Sequence, residues 1–429
     1  MLGMTLALDL TNLGARVELF EASGHLGGLA DAWQLDEVTW DRHYHVITPS
    51  DSYVLALLDE IGLGDDVEWA QTRSAFYGGG SLYPMSTAFE FLRFPLLGLV
   101  AKLRLGMTMA YAARIRDWKR LEQIPVDEWL LRSSGRSAFE TVWKPLLLSK
   151  LGEGYRETSA AFIWATIVRL YRGRAAGRHR GAFGYVRGGY GRILEELGRT
   201  LVKRGVAVSL SCDVEAVTSA AEEGPTVHSG NGARRFDGVI VTTPAPLAAH
   251  ICGGLSNEEK ERLRGVRYLG VLCASMLLSE RLAGYYMTSI ADGNVPFTAV
   301  IETSSFVDRR WFGGRHLVYL PKYMAADDPF WDLSDEEITE RFLRAIARMY
   351  PGFRREHVVA FRVSRARHVM PLPTLGYSQR LPPVHTSVPG VSVLNSGHIV
   401  NGTLNVNETM ALAREHLPAI LAKTAAERA

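Results

Sequence analysis

Apolar and polar positions along the chain follow two periods, one helical and one strand-like. Leu2, Leu6, Leu10 and Leu13 recur at helical spacing and predict an opening helix that stops at Gly14. Residues 17–20 (VELF) then read as a short strand ending on the acid Glu21, followed at once by a turn holding Gly24, Gly27 and Gly28. Trp33 to Trp40 reads as a strand pair, Ser50 to Ile61 as a helix capped by Ser50, and Phe76 to Pro84 as a hairpin turning on its glycines. From Thr87 to Arg174 the pattern is helical and rich in leucine and arginine. A helix over Gly191 to Arg204, closed by Gly205, leads to alternating strands at Val206–Leu210 and Val214–Thr218, and Asp237 to Thr243 is a further strand. Ala274 to Leu320 holds several strands, Leu333 to Met349 a helix with acids at its positive end, and Phe361 to Pro371 a basic strand. Val391 to Leu394 is the last strand, and a long helix opens at Gly402-Thr403-Leu404-Asn405.

The order of strand, acid and glycine turn carries the first chemistry. An acid at the tip of the second strand of a βαβ unit accepts hydrogen bonds from an adenosine ribose, and backbone amides without side chains approach a pyrophosphate closely. Such a unit carries G-x-G-x-x-G about 20 residues before the acid. Gly3 stands 18 positions before Glu21 and takes the place of the third glycine. The expectation is therefore that a first strand and two further glycines belong upstream of Met1.

The segment HLGGLADAW, residues 25–33, resembles the second glycine doublet of the flavin-dependent amine oxidase superfamily, which includes protoporphyrinogen oxidases, carotenoid-type desaturases and UDP-galactopyranose mutase. Gly184–Tyr190, Asp213–Val217, Val239–Ala245 and Gly390–Ala413 are similar to later segments of that superfamily, in the same order. The resemblance implies an α/β fold: a Rossmann-like FAD-binding domain of the glutathione reductase/p-hydroxybenzoate hydroxylase type with an inserted α+β substrate domain. On that pattern residues 1–85, 181–250 and 371–429 form the FAD-binding domain, 86–180 a helical insertion and 251–370 the sheet and helix of the substrate domain.

It also implies FAD as cofactor, with Glu21 on the ribose, Gly3, Gly27 and Gly28 at the diphosphate, and the Val214 backbone at adenine. Ser396 stands where much of the superfamily has an acid on the ribityl chain, and Gly402, Thr403 and Leu404 open the helix that faces the isoalloxazine. The superfamily usually has a basic residue beside the doublet, whereas this chain has His25 before it and Leu29 after it. Candidates for contact with the reacting centre are His43, Lys322 and Arg365, the last being equally readable as part of a solvated basic edge.

Three activities are open on this reading. One is an oxidase or desaturase removing a hydride from an amine or an apolar ring or polyene. A second is a mutase-like flavoenzyme acting on a nucleotide sugar, with Arg42, Arg169, Arg172 and Arg365 available to a diphosphate. The third is a fragment that does not retain FAD and is not catalytic. The small-molecule substrate, the electron acceptor and the oligomeric state are not encoded in any motif.

Composition narrows the partners. A length of 429 residues with 47% hydrophobic and 22% charged residues is that of a globular protein of more than one core, and a net charge of +2 gives no footprint for nucleic acid. Three widely spaced cysteines, Cys212, Cys252 and Cys273, exclude a disulfide framework or zinc site and suit a reducing cytosol. Residues 89–104, apolar with Arg93, Lys102 and Arg104 beside them, read either as a buried domain helix with basic tips reaching out or as an interfacial helix. The second reading places the protein at the periphery of the membrane's inner face.

Overall fold

The computed structural model describes residues 1–175, 181–220, 223–400 and 403–428. Apolar spacing in the first segment gives the opening helix Leu2–Asn12, which buries Leu2, Met4, Leu6 and Leu8. The strand Glu18–Phe20 follows and pairs in parallel with Ala207–Ser209, while Val239–Val241 pairs in parallel with Val391–Val393. Among the described residues these two parallel ladders are not hydrogen-bonded to each other. Gly3 lies between them: a Cβ there would stand 3.4 Å from Thr242 Oγ1 on one side and 4.0 Å from Leu19 Cδ1 on the other.

The second layer is a seven-stranded sheet in the order Val358–Pro371, Tyr268–Leu278, His316–Met324, Ala299–Glu302, Met287–Ile290, Ser74–Gly78 and Ser81–Pro84. Its second strand, Tyr268–Leu278, is buried at every position, as a strand covered on both faces must be. The helix Asp335–Met349 covers one face through Ile338, Phe342 and Ile346, and Ser334 with Glu337 closes a capping box at its start. The other face packs on the helical segment, chiefly Trp129, Trp143, Leu147 and Trp164.

That helical segment breaks where the sequence suggested one run. Pro95 follows the helix Ala88–Arg93, and a second helix, Leu99–Ala112, begins after Gly98. Proline removes an amide donor and disfavours helix at the residue before it, so the chain turns there. The closing helix Val406–Arg428 starts a turn later than its sequence suggests, with the Asn405 side chain accepting from Glu408 N–H at 3.0 Å. It packs on the opening helix through Leu412, Leu417 and Leu2, so the two ends of the chain share one core.

Candidate active site

The glycine turn after Glu21 is shaped by backbone rather than side chains. Gly27 has φ +127 and a Cβ on it would meet Leu194 Cδ1 at 2.4 Å, whereas a Cβ on Gly28, at φ +60, would meet nothing within 4 Å. Only glycine takes the first position, and the second faces open space. Glu21 sits at the strand tip with its main chain paired to Ser209 and Cys212, and its Oε1 accepts from Ser23 N–H at 2.9 Å. The Met1 amine is buried nearby, 3.5 Å from Gly27 O, and loss of solvent lowers its pKa to about 6 against the pull of Glu21.

Two buried polar atoms without partners mark the same edge. Thr243 Oγ1 follows the strand Val239–Val241, and Asn395 Nδ2 follows Val391–Val393; neither has a hydrogen-bond partner among the described residues. Ligands of open α/β sheets bind outside the carboxyl ends of the strands, where these atoms lie. An acid at one strand tip, a bare glycine turn and orphaned polar atoms at two others fit an adenine dinucleotide. No local pattern in the sequence singles out Thr243 or Asn395, since burial without a partner is a property of the folded chain alone.

The remaining residues expected at the cofactor are distributed as follows. Val214 opens the strand Val214–Ala220, opposite Ser229. Ser396 engages the Tyr268 hydroxyl, which also accepts from Ala245 N–H at 3.3 Å, and Tyr377 donates to Gly397 O at 2.7 Å. Thr403 and Leu404 precede the closing helix, with Leu404 packed on the cluster that contains Trp143 and Tyr319. Gly402 lies outside the described residues.

The chain then carries the acid loop onward to the sheet. His43 Nδ1 is 3.2 Å from Leu29 O, a pure acceptor, so Nδ1 holds the proton and Nε2 accepts from the Ser364 hydroxyl at 3.3 Å. Burial lowers the His43 pKa to about 4, so the ring is neutral and oriented at neutral pH. Its neighbour Tyr44 shares a 3.1 Å hydrogen bond with the Tyr323 hydroxyl, and Lys150 Nζ stands 4.5 Å above the Tyr323 ring. Burial, with Tyr323 beside it, pushes the Tyr44 hydroxyl pKa far up. Tyr44 and Tyr323 are 279 residues apart. Neither stood out in the sequence, because nothing local announces a pairing across that distance.

Two expected residues do not reach this wall. Lys322 and Arg365 both pair across Leu272 in the sheet register, so all three side chains share one face. Leu272 belongs to the cluster under the helix Asp335–Met349. Lys322 accordingly binds Asp328 at 3.3 Å with its ammonium 4.5 Å over Phe330, and Arg365 holds Asp335 and Leu333 O. Their neighbours Tyr323 and Ser364 point the other way, toward Tyr44 and His43. A one-residue step along a strand inverts the face, and the lysine on the Tyr323 side is Lys150.

The arginines considered for a diphosphate are also placed. Arg42 binds Asp31 at 2.7 Å and Arg169 binds Asp51 at 3.2 Å, while Arg365 is held as above. The side chain of Arg172 is outside the described residues. Asp41 is fully enclosed, accepts from Tyr190 N–H at 2.7 Å, and burial raises its pKa to about 8. His45 approaches it at 3.8 Å, but burial lowers that imidazole to about 4, so the pair is neutral near pH 7 and is not an ion pair.

Comparison with known proteins agrees with this geometry. No curated protein sequence matches the chain. Among solved structures, an Exiguobacterium protein assigned as a protoporphyrinogen oxidase superposes with a TM-score of 0.75 at 16% identity, over 98% of this chain and 96% of that one. A putrescine oxidase bound to putrescine gives 0.73 at 16% identity, covering 98% and 96%, and a reduced UDP-galactopyranose mutase gives 0.73 at 15%, covering 99% and 96%. At these identities the likeness is one of fold. The sequence profile of the flavin containing amine oxidoreductases matches residues 2–394, nearly the whole length, and the chain belongs to that family of FAD-dependent oxidoreductases.

Proposed function

We propose that the protein removes a hydride from an apolar ring or polyene, or from an amine in its neutral form, held between the FAD and the wall that carries Tyr44, Tyr319 and Tyr323. Bound FAD supplies the hydride acceptor, and the chain supplies position, dryness and field. Glu21 and the turn at Gly27 and Gly28 hold the dinucleotide end. Tyr44 keeps its proton on Oη and presents, with Tyr323, an aromatic surface backed by Leu147 and Trp143. His43, neutral and fixed by Leu29 O and Ser364, closes the side without adding charge.

The carrying observation is that the arginines considered for a diphosphate whose side chains are described are already paired, and the one cation placed at this wall, Lys150, lies over the Tyr323 ring. Arg42 and Arg169 sit on Asp31 and Asp51, Arg365 points to the opposite face, and Asp41 is protonated near neutral pH. An apolar substrate needs no counter-charge, whereas the diphosphate of a nucleotide sugar needs unpaired cations.

The test is anaerobic mixing of the FAD-loaded protein with putrescine, protoporphyrinogen and a carotenoid-type polyene, following loss of the yellow oxidised-flavin absorbance. Bleaching by at least one is the expected result. Conversion of UDP-galactopyranose only after chemical reduction of the flavin, with no bleaching by the others, overturns the reading; so does colourless protein that cannot be reconstituted with FAD.

A further inference from the structure

The outer face of the helical segment has a composition that water does not favour. Phe89 and Leu92 on the helix Ala88–Arg93 are 61% and 50% exposed, and Leu99, Val100, Leu103, Met107 and Tyr111 on the helix Leu99–Ala112 are 56–78% exposed. On the second helix the buried positions are Lys102, Leu105, Thr108 and Ala112, a stripe opposite the exposed one. That helix is apolar nearly all round, a pattern that belongs to fully covered helices, and yet one side is open. Seven large apolar side chains at this exposure make a patch on the order of several hundred Å², more than a monomer usually carries without a partner.

Charge says which partner. Residues 86–120 hold seven basic side chains, Arg93, Lys102, Arg104, Arg114, Arg116, Lys119 and Arg120, against two acids, Glu90 and Asp117. Glu90 folds back on the start of its own helix, accepting from Ser86 N–H at 2.7 Å and Thr87 N–H at 3.0 Å in the capping box. The Arg93 guanidinium carbon stands 4.3 Å from the centre of the Phe89 ring, and Arg114 donates back to Ala110 O at 2.9 Å, so both cations stay beside the apolar face. Lys102 Nζ ties the two helices by donating to Leu92 O at 2.6 Å, and Arg104 donates to Ser133 O and Arg132 O, so the patch is a fixed surface. A second copy would bring the same positive rim against itself. No helix among the described residues is long and apolar enough to cross a membrane, so the face lies on a surface rather than in a span.

We infer that this protein docks on an anionic lipid surface through the outer faces of the helices Ala88–Arg93 and Leu99–Ala112. The apolar residues enter the boundary between headgroups and acyl chains while the arginines meet lipid phosphates. The inference stands apart from the identity of the substrate.

It is tested by co-sedimentation of the full-length, FAD-loaded protein with phosphatidylcholine vesicles, with and without phosphatidylglycerol, at low and high salt. Binding is expected only with phosphatidylglycerol and falls several-fold at high salt. The triple variant Val100→Glu/Leu103→Glu/Met107→Glu should lose at least tenfold in binding, with the visible flavin spectrum and melting temperature reporting its fold, while Val202→Glu, an exposed apolar position on another helix, should bind as the parent does. A second variant, Arg93→Gln/Arg114→Gln/Arg116→Gln, leaves the apolar face intact and should lose the salt dependence. Absence of binding, binding unchanged in both multiple variants, or a dimer in ultracentrifugation that the triple variant dissolves while vesicles go unbound would each overturn it.

Discussion

Glu21 shows how much a single residue decides. Its position at the strand tip is fixed by backbone pairing to Ser209 and Cys212, and one carboxylate oxygen is held by Ser23 N–H, which leaves the carboxylate aimed rather than mobile. On the proposed role, Glu21→Ala deletes charge-assisted bonding to the ribose worth roughly 1.5 to 3 kcal/mol in all, so FAD binding should weaken about 10- to 100-fold. Titration of the apoprotein with FAD by flavin fluorescence measures this, and an unchanged dissociation constant rejects the assignment. Lys322 and Arg365 give the opposite expectation. Each already has a carboxylate partner on the face under the helix Asp335–Met349, remote from Tyr44 and His43. Lys322→Ala and Arg365→Ala should therefore keep kcat/KM within about twofold while lowering stability by up to about 1 kcal/mol, the usual worth of partly exposed ion pairs. A hundredfold loss of kcat in either variant would return that residue to the chemistry.

Elements show which parts of the site were legible in the sequence. The opening helix, the strand ending on Glu21, the glycine turn, the hairpin at Phe76–Pro84 and the helix Asp335–Met349 all rest on patterns within about 20 residues, and each forms where its pattern lies. What the sequence withheld depends on partners far along the chain. Strand periodicity assigns alternate faces but does not say which face meets the flavin, and so the sequence offers Lys322 and gives Lys150 no prominence. Apolar spacing over residues 89–104 is satisfied equally by burial and by exposure. The helix Ser52–Glu60 is a clear instance: Ser50 was expected to cap it, and its first turn is instead served by Asn407, whose Oδ1 accepts from Tyr53 N–H at 3.0 Å and Val54 N–H at 3.4 Å. The cap comes from the far end of the chain. Asn407→Ala should cost about 1 to 2 kcal/mol, as loss of a cap does, and should loosen the closing helix as well. Denaturant midpoints compare the two proteins, and hydrogen exchange localised to residues 52–60 and 406–412 identifies the cause.

At the scale of the molecule, Asp41 joins three parts that are distant in sequence. It ends the strand Val38–Asp41, its carboxyl accepts from Tyr190 N–H at the start of the helix Gly189–Lys203, and its carbonyl accepts from the Tyr319 hydroxyl on the sheet. Gly189 makes the approach possible, since a Cβ there would stand 2.7 Å from Asp41 Oδ1. Burial raises the carboxyl from 3.8 to about 8, so between these values the folded protein holds a proton that the unfolded chain releases. By linkage, Asp41 therefore contributes its full share below about pH 4 and progressively less as pH rises to about 8. His43 and His45 act with the reverse sign: both are lowered from 6.5 to about 4, and their share is lost as pH falls through that window. The Met1 amine, lowered from 8.0 to about 6, opposes Asp41 between those values, so the stability of the parent protein alone does not isolate the aspartate. A difference does. Asp41→Asn keeps an acceptor for Tyr190 N–H and removes the titration, so the stability of the variant relative to the parent should rise from pH 5 to pH 8, by about 1.4 kcal/mol for each pH unit while the full proton difference lasts. Paired urea denaturation curves at pH 5, 6, 7 and 8 measure that difference. A line flat with pH would mean that Asp41 binds no more protons in the folded protein than in the unfolded chain, so that its carboxylate meets Tyr190 N–H in ionised form.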